Sequence, residues 1–367
     1  MSKRITHSRF LHFQRVSRIE GGYSRLNTAI IVVDNTISLV IHAGTHKTAS
    51  TYIQNRLASN REILGGNNIF LVSPDTRKVG RCFELATHIK SGKFLRVKKL
   101  LQSIPDGVDG AILSDERLTQ ALIQEGRMES FIRVAKRAGF RIKLVFFIRD
   151  QPDYINSLYV QEVKRFCHSM PIEKYVSRCL LKRASRFDYF EMFRGIIECR
   201  SVDVQFLPFG SAWGDPFERL MHGQGWYPSD GWHPADAETL NDQIGAKGVW
   251  LARKVGRRLV SLGVERRLIR GQSRFIGRYA KQNGWSESRY YGLDEDMVQN
   301  IRDHYSTNNE RFAQLVWNQP WQTIFPPAKR VMNVFDLSDV AQRRLRQEFR
   351  ALVDQVVSEV LQDKPDA

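Results

Sequence analysis

The chain of 367 residues holds only four cysteines, at positions 82, 167, 179 and 199, with no CxxC pair or other metal-ligand spacing. That argues against a disulfide framework or a thiolate metal site and implies no metal; reduced thiols in a cytoplasmic protein are the simplest account. No stretch reaches about 18 uninterrupted apolar residues, so no integral membrane segment is expected. The first 27 residues are basic and polar, include Gly21-Gly22, and lack the apolar core of a signal peptide. Internal repeats, low-complexity runs and recognisable nucleic-acid-binding motifs are missing as well. Acidic residues are scarce: 39 Asp and Glu against 56 Lys and Arg leave a formal net charge of +17. A surface this basic suits an anionic partner, and Arg253, Lys254, Arg257, Arg258, Arg266, Arg267, Arg270 and Arg274 concentrate charge in one segment. That segment also reads as the solvated face of an amphipathic helix, and without a nucleic-acid motif an anionic ligand ranks above DNA or RNA.

What is present begins at residues 38–54, SLVIHAGTHKTASTYIQ: an apolar strand, a short loop with Gly44, Thr45, Lys47, Thr48, Ser50 and Thr51, then the start of a helix. Strand, hydroxyl-rich loop and helix N-terminus in that order make a phosphate cradle. The first N–H groups of a helix have no intrahelical acceptor, and the helix dipole favours an anion there. Lys47 adds a full positive charge, and the hydroxyls of Thr48, Ser50 and Thr51 can donate to phosphate oxygens. The loop approaches the nucleotide-binding signature GxxxxGK followed by Ser or Thr, but His46 stands where the glycine before the lysine is expected. Ordinary ATP or GTP binding thereby loses support.

A second segment strengthens the reading. Residues 141–149, RIKLVFFIR, are the continuous apolar run of a strand buried on both faces of a parallel sheet. Pro152 then suits a helix start, and Ile155, Leu158, Tyr159 and Val163 recur at helical spacing. Arg149 thus sits at the carboxyl end of a strand, where open α/β sheets bind their ligands, with Ser157 about two turns into the next helix. Arg149 can grip a phosphate bidentately and Ser157 can add a hydroxyl donor.

Together the two segments resemble the PAPS-dependent sulfotransferases of bacterial type. HAGTHKTAST followed by Ile53 and Gln54 is similar to that family's 5′-phosphosulfate loop, with Ala49 where a glycine is usual. Arg149, Gln151, Ser157, Leu158, Tyr159, Gln161, Val163 and Lys164 match a 3′-phosphate motif that often reads RRQDxxxxSLYxQxVK, with Asp150 in place of its second arginine. Fainter likenesses follow: DGAILSDERL at 109–118, RFDYFEMFRGIIECRSVDVQFLPFG at 186–210, NDQIGAKGV at 241–249 with Gln243 at a usual hydroxyl position, and a closing helix at 303–317. The resemblance implies a three-layer α/β fold of P-loop type with a central parallel sheet flanked by helices, an organisation that alternating strands and helices from 37 to about 210 support independently. It divides the chain into a basic N-terminal extension (1–36), the sulfotransferase-like domain (37–322) and a C-terminal helical extension (323–367).

The implied donor is 3′-phosphoadenosine 5′-phosphosulfate (PAPS), the product adenosine 3′,5′-bisphosphate, and the acceptor a hydroxyl of a sugar-containing compound, acidic glycans included. Gly44, Thr45, His46, Lys47, Thr48, Ala49, Ser50, Thr51, Arg149, Ser157 and Lys247 would hold the donor. Sulfuryl transfer needs cations on the leaving oxygens, a part for Lys47, and a base at the acceptor. Glu116, at the end of a strand, is the first candidate base; His46, Asp115, His42 and His88 follow. The tail breaks at Pro326-Pro327, and an apolar stripe over 336–362 predicts a terminal helix docked on its own domain, a homodimer contact being the alternative. Two other functions stay open. A P-loop kinase-like phosphotransferase would cast Asp115 as a Mg²⁺ ligand; a non-catalytic binder of anionic polymers would explain Ala49, Asp150 and Gln243 as decay of the site.

Overall fold

The computed structural model describes residues 36–73, 80–229, 231–234, 243–269, 272–328 and 330–362. The N-terminal extension up to residue 35, Arg270, and residues 241–242 of the NDQIGAKGV segment lie outside them.

Five strands form one sheet: β1 (Ile37–His42), β2 (Ile69–Leu71), β3 (Gly110–Ser114), β4 (Phe140–Arg149) and β5 (Asp203–Phe209). All pairings are parallel, in the order β2-β3-β1-β4-β5. Parallel strands covered on both faces need apolar side chains at both parities, and the chain supplies them. Leu39, Ile41, Leu113, Leu144 and Phe146 enter one core, whereas Val40, Ile112, Val145 and Phe147 enter the other. The second core is closed by α1 (Ser50–Ser59), through Ile53 and Leu57, and by the helix Pro216–His222. The first is closed by most of the remaining helices, including α2 (Leu118–Leu122), α3 (Gln151–Lys164), α4 (Tyr189–Ile197), α5 (Gly245–Ser261) and α6 (Glu295–Trp317). This is a three-layer α/β fold. Truncating the fully buried Leu57 to alanine would cost about 2–5 kcal/mol.

The strand order positions the site. The connection after β1 leaves toward β3 and β2, whereas the connection after β4 leaves toward β5, so the crevice between β1 and β4 is the sheet's switch point. The backbone of the loop after β1 continues along β4: Ala43 N–H donates to Val145 O (2.9 Å), Thr45 N–H to Phe147 O (3.3 Å) and Phe147 N–H to Gly44 O (2.6 Å).

Two expectations shift in detail. The helix read over 303–317 begins earlier, at Glu295, because the Asp294 carboxylate accepts from Met297 N–H and caps it. In the tail, the helix α7 runs over Arg343–Gln362 and packs on α5, with Phe349 edge-on to Trp250 (5.4 Å) and Val356, Val357 and Val360 buried. Of the stripe that Leu337, Val340, Leu345, Phe349, Leu352, Val356 and Val360 make in the sequence, Leu337 falls instead in a short 3-10 turn, and Leu345 is exposed. Among the described residues no helix is long and apolar enough to cross a membrane.

Candidate functional site

The loop between β1 and α1 is held by its own side chains. Thr45 Oγ1 donates to Phe147 O (3.0 Å) and Thr48 Oγ1 to Thr45 O (2.6 Å), while Ser50 Oγ lies 3.4 Å from the same carbonyl. Thr45 and Thr48 therefore spend their protons on loop shape, a use the sequence did not reveal for Thr48. Gly44 is required where it stands: its φ is +104°, and a Cβ there would lie 3.1 Å from both Glu116 O and Thr119 Oγ1. Lys47 (φ 65°) and Ala49 (φ 63°) also adopt the left-handed region. For non-glycine residues that costs about 1–2 kcal/mol each, and Ala49 occupies the position where the resembled loop has glycine. The first intrahelical bond of α1 runs from Ile53 N–H to Ala49 O (3.0 Å), leaving the N–H groups of Ser50, Thr51 and Tyr52 ahead of it. No acidic residue sits in that first turn.

Positive charge gathers around this helix start. Arg149, at the end of β4, donates through Nη1 to Lys47 O (3.0 Å), with its guanidinium 5.6 Å from the Phe209 ring centre. Burial, followed by the nearby charges of Arg149, Arg165 and Lys164, pulls the Lys47 ammonium down to about 8. Burial also lowers Arg149, with Arg289 and Arg330 acting in the same direction and Asp153 against it. Among the described residues Lys47 forms no ion pair. A desolvated lysine crowded by like charges costs the free protein stability, and an anion would relieve that cost.

The turn after β3 supplies the carboxylates. Gln54 of α1 donates to Glu116 Oε2 (2.8 Å) and approaches Ser114 Oγ (3.3 Å), which lies 2.7 Å from His42 Nδ1. Ser114 Oγ and His42 Nδ1 share one hydrogen bond, and among the described residues nothing partners the buried His42 Nε2. Burial holds His42 at about 4, so the ring is neutral and serves the turn. Asp115 is fully buried and accepts from Arg117 N–H (3.0 Å) and Arg117 Nε (3.2 Å). Its oxygens close a turn.

His46 points elsewhere. It lines a cavity of about 460 Å³ with Thr119, Ile123, Tyr154, Arg186, Glu191 and Met192. Its ring makes no hydrogen bond among the described residues, and burial lowers its pKa, with Glu116 opposing and Arg186, Lys47 and Arg165 reinforcing. Glu116 is not part of that lining.

The structure thus brings together the loop 44–51, Arg149, Glu116 and His46. It does not tie in the others. Ser157 is half-buried on α3 without a hydrogen bond among the described residues, Lys247 is exposed in the first turn of α5, and His88 sits on a helix covering the sheet. Asp150, the departure from the resembled second arginine, is buried and pairs with Arg302 of α6 (2.7 Å), with Trp321 Nε1 3.4 Å away. Sequence reasoning missed Arg289 and Arg330 as charge neighbours of Arg149, and Arg186 in the cavity, since nothing in the order of residues brings such distant positions together. Compared with known proteins, the chain matches no family model, and no curated protein matches it.

Proposed function

We propose that the protein is a sulfotransferase that moves the sulfuryl group of 3′-phosphoadenosine 5′-phosphosulfate to an acceptor hydroxyl. The observation that supports this is the pairing, at the sheet's switch point, of an ammonium and a guanidinium that follow two different strands, Lys47 and Arg149, joined through the Lys47 carbonyl and, among the described residues, without a carboxylate bridge between them. Two cations beside one helix start suit a ligand with two phosphate groups. The α1 N-terminus and Lys47 would face the 5′-phosphosulfate, and Arg149, helped by Arg289, the 3′-phosphate.

In the transfer the acceptor oxygen bonds to sulfur as the bond from sulfur to the 5′-phosphate oxygen breaks. Lys47 stabilises charge growing on that leaving oxygen, where a fixed cation in a dry site acts strongly. Arg149 holds the loop by its carbonyl and contributes orientation. The carbohydrate-type acceptor of the sequence reading is one narrower form of this proposal. The phosphotransferase alternative loses its main support, because the Asp115 carboxylate is committed to Arg117.

Calorimetry with EDTA present tests the reading. Adenosine 3′,5′-bisphosphate should bind at least about 100-fold more tightly than AMP, as a charge-assisted phosphate contact worth roughly 3 kcal/mol implies. Equal affinities, or binding of ATP that requires Mg²⁺, would overturn it.

A further inference from the structure

Resting on the sulfotransferase reading, we propose that the cavity beside His46 is the acceptor site, and that its acceptor is a compact hydroxyl compound with an apolar ring body and one acidic substituent.

Size comes first. About 460 Å³ lies toward the low end of the roughly 300–1,000 Å³ range of small-molecule sites, which suits one or two rings and admits only the tip of a polymer. The walls come next. Ile123, Met192 and the ring of Tyr154 present carbon, and a bare sugar, with hydroxyls on every edge, would leave most of its polar groups unpaired against them. Met192 adds a side chain that adapts to an irregular or aromatic surface.

Arg186 calls for the acidic substituent. Its Nη1 lies 3.9 Å from Glu162, but that carboxylate is shared with Arg183 at 3.1 Å and His168 at 3.5 Å. Arg186 has the longest of the three contacts and lines the cavity. Glu191 lines it too, and is drawn to Arg194 (3.4 Å). A carboxylate on the acceptor would complete the pairing that Glu162 supplies only in part.

His46 completes the geometry at the loop end. Its ring faces the cavity without a hydrogen-bond partner among the described residues, on the same loop as Lys47. The acceptor hydroxyl gives its proton to a neutral imidazole nitrogen as its oxygen bonds to sulfur. The electron pair of the broken sulfur–oxygen bond stays on the departing 5′-phosphate, and the imidazolium later returns the proton to solvent. Glu116, held by Gln54, becomes a positioning residue for the turn beneath Gly44.

The experiment uses the full chain, PAPS labelled in its sulfuryl group, and three probes: 3-(4-hydroxyphenyl)propanoate, its amide, and an N-acetylglucosamine oligomer. The acid should be the best acceptor. Arg186→Gln should raise KM for the acid about 10- to 100-fold, the worth of a hydrogen bond to a charged group, and change KM for the amide about twofold or less; Arg186→Lys should restore part of the loss. Melting curves of both variants establish that they fold. A preference for the oligomer, or equal effects of Arg186→Gln on acid and amide, overturns the acceptor assignment and leaves the sulfotransferase reading standing. If the acid binds calorimetrically in an Arg186-dependent way while adenosine 3′,5′-bisphosphate does not bind, the cavity stands as a ligand site and the sulfotransferase reading falls. Failure of both ligands to bind removes both.

Discussion

Two regions flanking Arg149 bury polar groups and treat them differently. On the α3 and α6 side, Gln151 and Asn309 exchange amide hydrogen bonds at 2.6 and 3.0 Å, Asp150 takes Arg302, and Asn156 receives Gly292 N–H and donates to Tyr290 O. Apart from Arg302 Nε, the groups of this seam find partners within the fold. On the loop side, Lys47 is desolvated among like charges, the first N–H groups of α1 precede the helix's own bonds, and Lys47 and Ala49 hold left-handed backbone conformations. The seam is polar structure that stabilises itself. The loop is polar structure whose cost the fold does not offset, and local instability of that kind is found where function uses it. Five substitutions put that contrast at risk.

The largest effect is expected at Lys47. Lys47→Ala should lower turnover about 10³-fold, near 4 kcal/mol, while donor affinity measured by calorimetry changes far less, because the proposal leaves the 3′-phosphate to other contacts. Equal losses in affinity and turnover would reduce Lys47 to a binding residue.

His46→Asn should follow, with kcat down roughly 10²–10³-fold, against about 10-fold for Glu116→Gln. The pH profile separates their roles. The proposed transfer requires a neutral imidazole, and burial lowers His46, so activity should fall on the acid side below the usual histidine range near 6.5. A charged Lys47 is also required, so activity in the free enzyme should fall as pH rises through about 8. Loss of the acid limb in Glu116→Gln rather than His46→Asn would return the base to Glu116.

Third comes the seam. Asn309→Ala strands the buried Gln151 amide oxygen, while its NH₂ group keeps Phe187 O, and should lower unfolding free energy by about 1–3 kcal/mol in urea titration, with donor affinity unchanged within about twofold. A large affinity loss would mean that seam and loop are one unit.

The smallest effect is expected at Ala49→Gly. Relief of the left-handed strain outweighs the added freedom of the unfolded chain, for a net gain of about 0.5–1 kcal/mol in the same titration. A loss of stability would mean that the loop's conformation is not strained.

The sheet was legible because its code is local. SLVIH and KLVFFI announce buried parallel strands by apolar side chains at both parities, and Pro152 marks the start of α3. The loop was legible for the same reason, since glycine, lysine and hydroxyls fall within one short stretch. Asp150 was not: as a departure from a motif it suggested decay, and only the fold brings Arg302 to it from α6. Nor could the sequence show that Thr48 donates inward, or that Arg186 and His46 share a cavity, because those facts depend on where α1, α2 and α4 meet. Three-residue β2 left too short a pattern to read.

The central claim, that the loop carries uncompensated charge awaiting an anion, is tested most directly by the unfolding free energy of ligand-free Lys47→Met against wild type from pH 6 to 10.5. Lys47 has its pKa depressed to about 8 in the folded protein against about 10.5 in the unfolded chain, so the unfolded state binds more protons across that interval and wild-type stability gains with rising pH there. The variant should be more stable by roughly 1–3 kcal/mol below pH 8, with the advantage shrinking steadily between about 8 and 10.5. A variant less stable than wild type below pH 8, or a difference that does not change across that interval, would contradict the account.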